Sequence, residues 1–260
     1  MVTALEFGLF PVERFYGGGL FFAGEHAARV LHAWREWTTG LPMEATSSIA
    51  FLRRPRCPGR RSPCGGRSSR TYGSPPCCRG RRPNAWSRRP CWTRSPARPT
   101  AWPVRPHMDA PRPAPWVERS AALRDFPGEA ADALLGEIGP DSGTRLGFVE
   151  VRLLDGAPAR PPAVPNAVSG RNARWAVIAS GAGAPDQAPA FREQLDALAG
   201  TPAPWTQDEM NANLLTAAQG ATPDELRAAY GRERHDRFAA IKKRYDPRNL
   251  FRVNHDIVPA

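Results

Sequence analysis

The period of the hydrophobic pattern changes several times along the chain, and each change marks an element. Over 2–12 (VTALEFGLFPV), Val2, Ala4, Phe7 and Leu9 stand between smaller or polar residues, the spacing of a strand. FYGGGLFF (15–22) is a second apolar run, with three glycines where a strand can bend or bulge. Over 25–37 the period becomes helical. Ala27, Val30, Leu31 and Trp34 recur at i, i+3, i+4 and i+7, with Arg29, Arg35 and Glu36 elsewhere on the turn. Gly40 and Pro42 end that helix. ATSSIAFL (45–52) predicts a third strand.

In the second half, 116–124 and 128–138 read as helices, 146–154 (LGFVEVRLL) and 174–180 as strands, and 189–199 as a helix. Thr222-Pro223-Asp224-Glu225 has the form of a helix start: a hydroxyl at the N-cap, proline at the first helical position and glutamate at the third. A last helix is expected over 232–244, with Phe238 and Ile241 facing inward, and Asp246-Pro247 stops it. Strands mixed with helices, without a regular alternation of the two, predict an α+β fold.

Composition changes this picture in one place. The 260-residue chain carries a formal charge of +11, and 15 of its 36 basic residues are arginines within 53–106. That stretch has no Lys, Asp or Glu, holds 11 of the 29 prolines and all five cysteines, and contains Val104 as its sole Val, Ile or Leu. The remaining 206 residues carry 21 basic against 25 acidic groups, an ordinary and mildly acidic balance. A segment so poor in branched apolar residues is expected to be disordered, because it buries too little to offset the ordering of its backbone.

A GC-rich message read out of frame yields this bias. With GC-rich codons, PCGGRSSRTYG (63–73) read two nucleotides later becomes LRGPFVAHVR, a strand-like string. A frame slip near Arg53 and a compensating one near His107 is therefore the expected origin. An arginine-rich nucleic-acid-binding arm is the alternative. It lacks lysine, and Trp86, Trp92 and Trp102 form no stacking pattern, so no nucleic-acid partner is expected. The organisation expected is 1–52, then 53–106 as the irregular stretch, then 107–260.

MVTALEF, YGGGLFF with the AARVLHAWREWTTGLP helix, and VEVRLLDGAPARPPAVPNAVSGRNA each resemble parts of the berberine-bridge-type FAD-linked oxidases. The most specific stretch is KKRYDPRNLFRVNHDIVP. It is similar to that family's closing signature: a basic residue, YDPxNxF, then an Asn-(Gln/His)-Asn-Ile element. The resemblance covers about 1–52 and 107–260. It implies an antiparallel sheet with helices packed on one face, forming the substrate side of a two-domain flavoprotein whose FAD is held mainly by an N-terminal domain. It implies oxidation of a small organic substrate by hydride transfer to the flavin. It also implies Asn254 and His255 in the element that approaches the flavin edge, with Asn249 and Tyr245 in the adjoining turn.

This chain is expected to be the C-terminal, substrate-side part of such an enzyme, inactive alone and binding FAD weakly or not at all. A non-catalytic partner of a separately encoded FAD domain is the other form of the same expectation.

The sequence departs from the family pattern at three points. Asp256 stands where the family often has Asn, a carboxylate beside a flavin that becomes anionic on reduction. Thr216 and Ala217 replace an Asn and a Phe of the presumed pocket wall. The loop GAPARPPAVPNAV lacks the glutamate base of plant members, and Glu150, upstream in the strand, is expected at a solvent-facing or core-edge position. No catalytic base is assigned. Phe251 is expected in the core.

Cys57, Cys64, Cys77, Cys78 and Cys91 form no CxxC pair, so no metal site is expected. No run of 18 apolar residues and no leader-like N-terminus is present. The odd cysteine count fits a reducing compartment, so the expectation is a cytoplasmic protein without membrane contact.

Overall fold

The computed structural model describes residues 4, 6–9, 11, 17–53, 91–92 and 115–260. The chain divides into two compact units, 1–23 with 64–113, and 24–63 with 114–260. In the first, β1 (Leu20–Phe21) pairs antiparallel with β3 (Cys91–Trp92). Of the strand expected over 2–12, residues 4, 6–9 and 11 are described, and they form no strand. The expected disorder of 53–106 lies outside them too, apart from Arg53, Cys91 and Trp92.

The second unit contains a five-stranded sheet in the order β2-β5-β6-β4-β7, antiparallel throughout. Its strands are β2 (Ser48–Leu52), β4 (Trp116–Leu123), β5 (Phe148–Leu153), β6 (Trp175–Ala182) and the short β7 (Thr206–Gln207). The helices are α1 (Ala27–Thr38), α2 (Gly128–Ile138), α3 (Ala188–Gly200), α4 (Pro223–Tyr230) and α5 (Arg232–Tyr245). The fold class is α+β, as the pattern predicts.

Where the pattern predicts a helix over 116–124, residues 116–123 form strand β4. WVERSAALR is rich in helix formers, but Val117, Ala121 and Leu123 also alternate. Eight residues pair with β6, from Trp116 opposite Ala182 to Leu123 opposite Trp175. Tertiary pairing overrides local preference.

The register sorts side chains by face. Ile49 and Phe51, Val149, Val151 and Leu153, Trp175, Val177 and Ala179, and Ala121 and Leu123 share one face. They form the main core with Leu31 of α1, Ala131 and Leu134 of α2, and Phe191, Leu195 and Leu198 of α3. Trp175 anchors it: Trp34 meets its ring edge-on at 5.5 Å and Phe126 lies at 5.7 Å. The Trp34 indole N–H donates to Ser47 Oγ at 2.9 Å, so a polar handle is satisfied as the ring is buried. Arg53 closes the C-terminus of α2, donating from Nη2 to the carbonyls of Ile138 and Gly139, which no turn of the helix can satisfy.

On the opposite face a second, smaller core forms at one end. There Ala122 and Ala173 pack with Met210, Leu215, Leu226 and Ala229. Gly170 makes the crossing possible. It has φ of 71°, and a Cβ there would lie 2.6 Å from Met210 Cα, so the residue must be glycine on both counts.

Candidate functional site

The second face of the sheet carries polar groups that an ordinary core would exclude. Its central row runs Ala50, Glu150, Ile178, Ser120 across β2, β5, β6 and β4. Of the two positions expected for Glu150, solvent-facing or core-edge, the first is excluded: the residue is 2% exposed. Both of its oxygens are taken by Arg152, two residues on and on the same face: Nε donates to Oε1 at 3.2 Å and Nη2 to Oε2 at 2.8 Å. A carboxylate buried this deeply needs a partner with matched geometry. Strand period 2 supplies it at i+2.

At the far end of the row, Gln219 performs the work of a strand. Its Oε1 accepts from the backbone N–H of Ser120 at 3.0 Å, and its Nε2 donates to the Ser120 carbonyl at 2.7 Å. β7 is only two residues long and pairs with Ala122 and Leu123. The amide of Gln219 therefore continues the ladder where β7 has ended and satisfies an edge that would otherwise be open. Thr216 Oγ1 donates to the same Oε1 at 3.0 Å, and Ser120 Oγ donates to the Leu214 carbonyl. Thr216, one of the departures from the family pattern, is thus a working part of a buried network.

The four residues expected at the cofactor lie in or beside a C-terminal knot. Asp246 ends α5 and its carboxylate accepts from the N–H groups of Leu250 (2.7 Å) and Phe251 (3.0 Å). Burial alone would raise its pKa. Those two N–H groups, with Lys242 and Arg248, outweigh burial and hold it below the usual aspartate value. Asn249 takes a left-handed φ of 52° and donates from Nδ2 to Asp256 Oδ2 at 3.0 Å. Lys242 Nζ bridges Asp256 Oδ1 at 3.1 Å and the Phe251 carbonyl at 2.7 Å.

Asp256 is therefore neutralised by Lys242, which explains how a carboxylate is tolerated at this position. Tyr245 is 73% exposed. Asn254 is exposed with φ of 67°, and His255 is half-buried against Gly220. None of the described hydrogen bonds joins two of the four.

Two of these residues are exposed and two carry polar atoms enclosed by the chain. Asn249 Oδ1 and His255 Nδ1 are polar atoms without partners, but the chain itself closes them off. Two small hollows among the described residues involve the helix-covered side of the sheet. One is between α3 and the β4–β6 pair, and the other is between the end of α2 and α3. Phe251, expected in the core, is 70% exposed, and Ile241, expected to face inward, is 46% exposed. The buried residue of α5 is Ala239, and Phe238 meets Tyr230 edge-on at 5.4 Å. The knot is held by charge and backbone bonds, which leaves its apolar side chains outside. Among the described residues no helix is long and apolar enough to cross a membrane.

Sequence reasoning missed the buried Glu150–Arg152 pair and the role of Gln219. A Glu-x-Arg spacing inside an apolar strand was the available signal for the first. Gln219 gave none, because it depends on β7 ending early.

A family model described as berberine and berberine like matches residues 221–258. No curated protein matches the chain. Among solved structures it is similar to wild-type BBE-like 1 of Physcomitrella patens, at 18% identity and a TM-score of 0.46 over 56% of this chain and 31% of that one. A chitooligosaccharide oxidase gives 15%, 0.49, 56% and 33% in the same order. The glucooligosaccharide oxidase of Acremonium strictum, described as carrying a 6-S-cysteinyl, 8α-N1-histidyl FAD, gives 17%, 0.48, 56% and 34%. The chain spans about a third of the length of these structures. The stretch that resembles the berberine and berberine-like family is thus residues 221–258, which run from the capping box of α4 to the Lys242–Asp256 knot.

Proposed function

We propose that this chain forms the substrate-side wall of an FAD-dependent oxidoreductase that oxidises a small organic molecule. The family match over 221–258 carries the reading. The sheet supports it with a second face, opposite the one that three helices cover, that holds a charged pair in an apolar strand. FAD is held mainly by a domain other than the one described, since the expected contact residues are engaged in the knot or exposed. Asn254 and His255 remain the residues proposed to approach the flavin edge, with Asn249 and Tyr245 supporting the turn.

The test is to express the chain from its genomic locus together with the sequence upstream of it. Candidate alcohols and sugars are then added without oxygen. Bleaching of the flavin absorbance by at least one organic substrate is expected. A flavin-free product, or a flavin that no organic donor reduces, would refute the reading.

A further inference from the structure

We infer that Arg152 is the receptor for a carboxylate on the substrate, held in position by Glu150. This deepens the proposed function and rests on its reading of the face opposite the helices as the substrate side. A guanidinium has two flat edges, each presenting a pair of parallel N–H groups. Glu150 occupies the edge made by Nε and Nη2. The edge made by Nη1 and the second Nη2 hydrogen is left, and among the described residues Nη1 donates to nothing. A planar anion with two oxygens matches that edge.

The cross-strand neighbours of Arg152 among the described residues are small. Arg152 is opposite Ser48 on one side and Ala176 on the other, and Glu150 has Ala50 on its β2 side. The Arg152 side chain is 35% exposed, against 3% for its partner. An exposed arginine ordinarily samples many rotamers; a partner fixed in a strand removes that freedom before a ligand arrives.

Stability does not explain the pair. A buried ion pair is seldom better than two apolar side chains of the same volume, and every other buried position of β5 is Val or Leu. Glu150 is therefore a positioning residue and Arg152 the binding residue. The pair is neutral overall, which favours a monoanion: Glu150 repels a second negative charge. The ligand class is a carboxylate rather than a phosphate.

The test uses the full chain without flavin, titrated with benzoate while the side-chain Nε–Hε signal of Arg152 is followed by NMR. Saturable benzoate binding is expected, with no binding of neutral benzamide and weaker binding of inorganic phosphate. Arg152→Lys keeps the charge but loses the fork, and is expected to weaken benzoate by about tenfold. Arg152→Met alone leaves Glu150 buried without a partner. The paired Glu150→Leu, Arg152→Met variant keeps the fold, shown by an unchanged circular dichroism spectrum, and is expected to bind no benzoate.

Equal benzoate affinity in these variants, benzamide binding as well as benzoate, tighter phosphate binding or no binding by the folded wild-type chain would each overturn the inference. Because no flavin is needed, these outcomes are separate from those of the bleaching experiment.

Discussion

The two faces of one sheet follow different rules. The helix-covered face is assembled from alternating Val, Leu and Trp, and any apolar residue of similar volume could hold it. The opposite face depends on named partners: Arg152 for Glu150, Gln219 for the Ser120 backbone. A packed apolar face tolerates exchange by volume. A buried polar face tolerates almost none, because each group removed leaves another unsatisfied. That inequality separates the face that stabilises the sheet from the face proposed to meet a ligand.

Four measurements would break or sharpen the contrast. On the covered face, Leu134→Ala empties a position 1% exposed and should cost about 2–5 kcal/mol in chemical denaturation, depending on how far the site collapses. On the other face, Arg152→Met should cost on the order of 3 kcal/mol, while the paired apolar replacement of Glu150 and Arg152 recovers most of it. Equal losses in single and double variants would remove the distinction between the faces. Farther out, Thr222→Ala breaks the capping box with Glu225 and should cost about 1 kcal/mol.

The smallest effect should appear with pH. Asp246 and Asp155 both have lowered pKa values. For Asp155 the Gly156 N–H is the main cause, followed by opposing burial and then Arg174; for Asp246 the lowering groups outweigh burial. A carboxylate depressed in the folded state adds stability above its unfolded pKa and loses it as pH falls through the folded one. Melting temperature should therefore fall on acidification below the ordinary aspartate range. Asp246→Asn should flatten part of that slope.

Much of the covered face was legible in the sequence. The 25–37 period gave α1 and LGFVEVRLL gave β5; at the smaller core of the other face, Thr222 with Glu225 gave the start of α4. Strand β4 was not legible, because its Ala, Glu, Arg and Leu prefer a helix until β6 pairs with them. The second face was readable only in part. Glu150 and Arg152 stand two apart in the sequence, but whether that face is buried depends on distant elements. Asp256 looked like a mismatch when read alone; its partner Lys242 is fourteen residues away, across a turn that Asp246 and Asn249 define.

The arginine-rich stretch over 53–106 lies almost wholly outside the described residues, and the gene settles it. Coding DNA that gives a strand-rich, family-like reading in another frame is expected. The alternative nucleic-acid arm predicts steeply salt-dependent DNA binding that deletion of this stretch abolishes.

The central claim is that this chain supplies a wall and leaves the cofactor to another domain. The most direct test is to purify the chain alone with excess FAD, desalt it, and measure flavin absorbance per chain. The account predicts a colourless protein with flavin far below one equivalent; a yellow protein retaining one FAD per chain would contradict it.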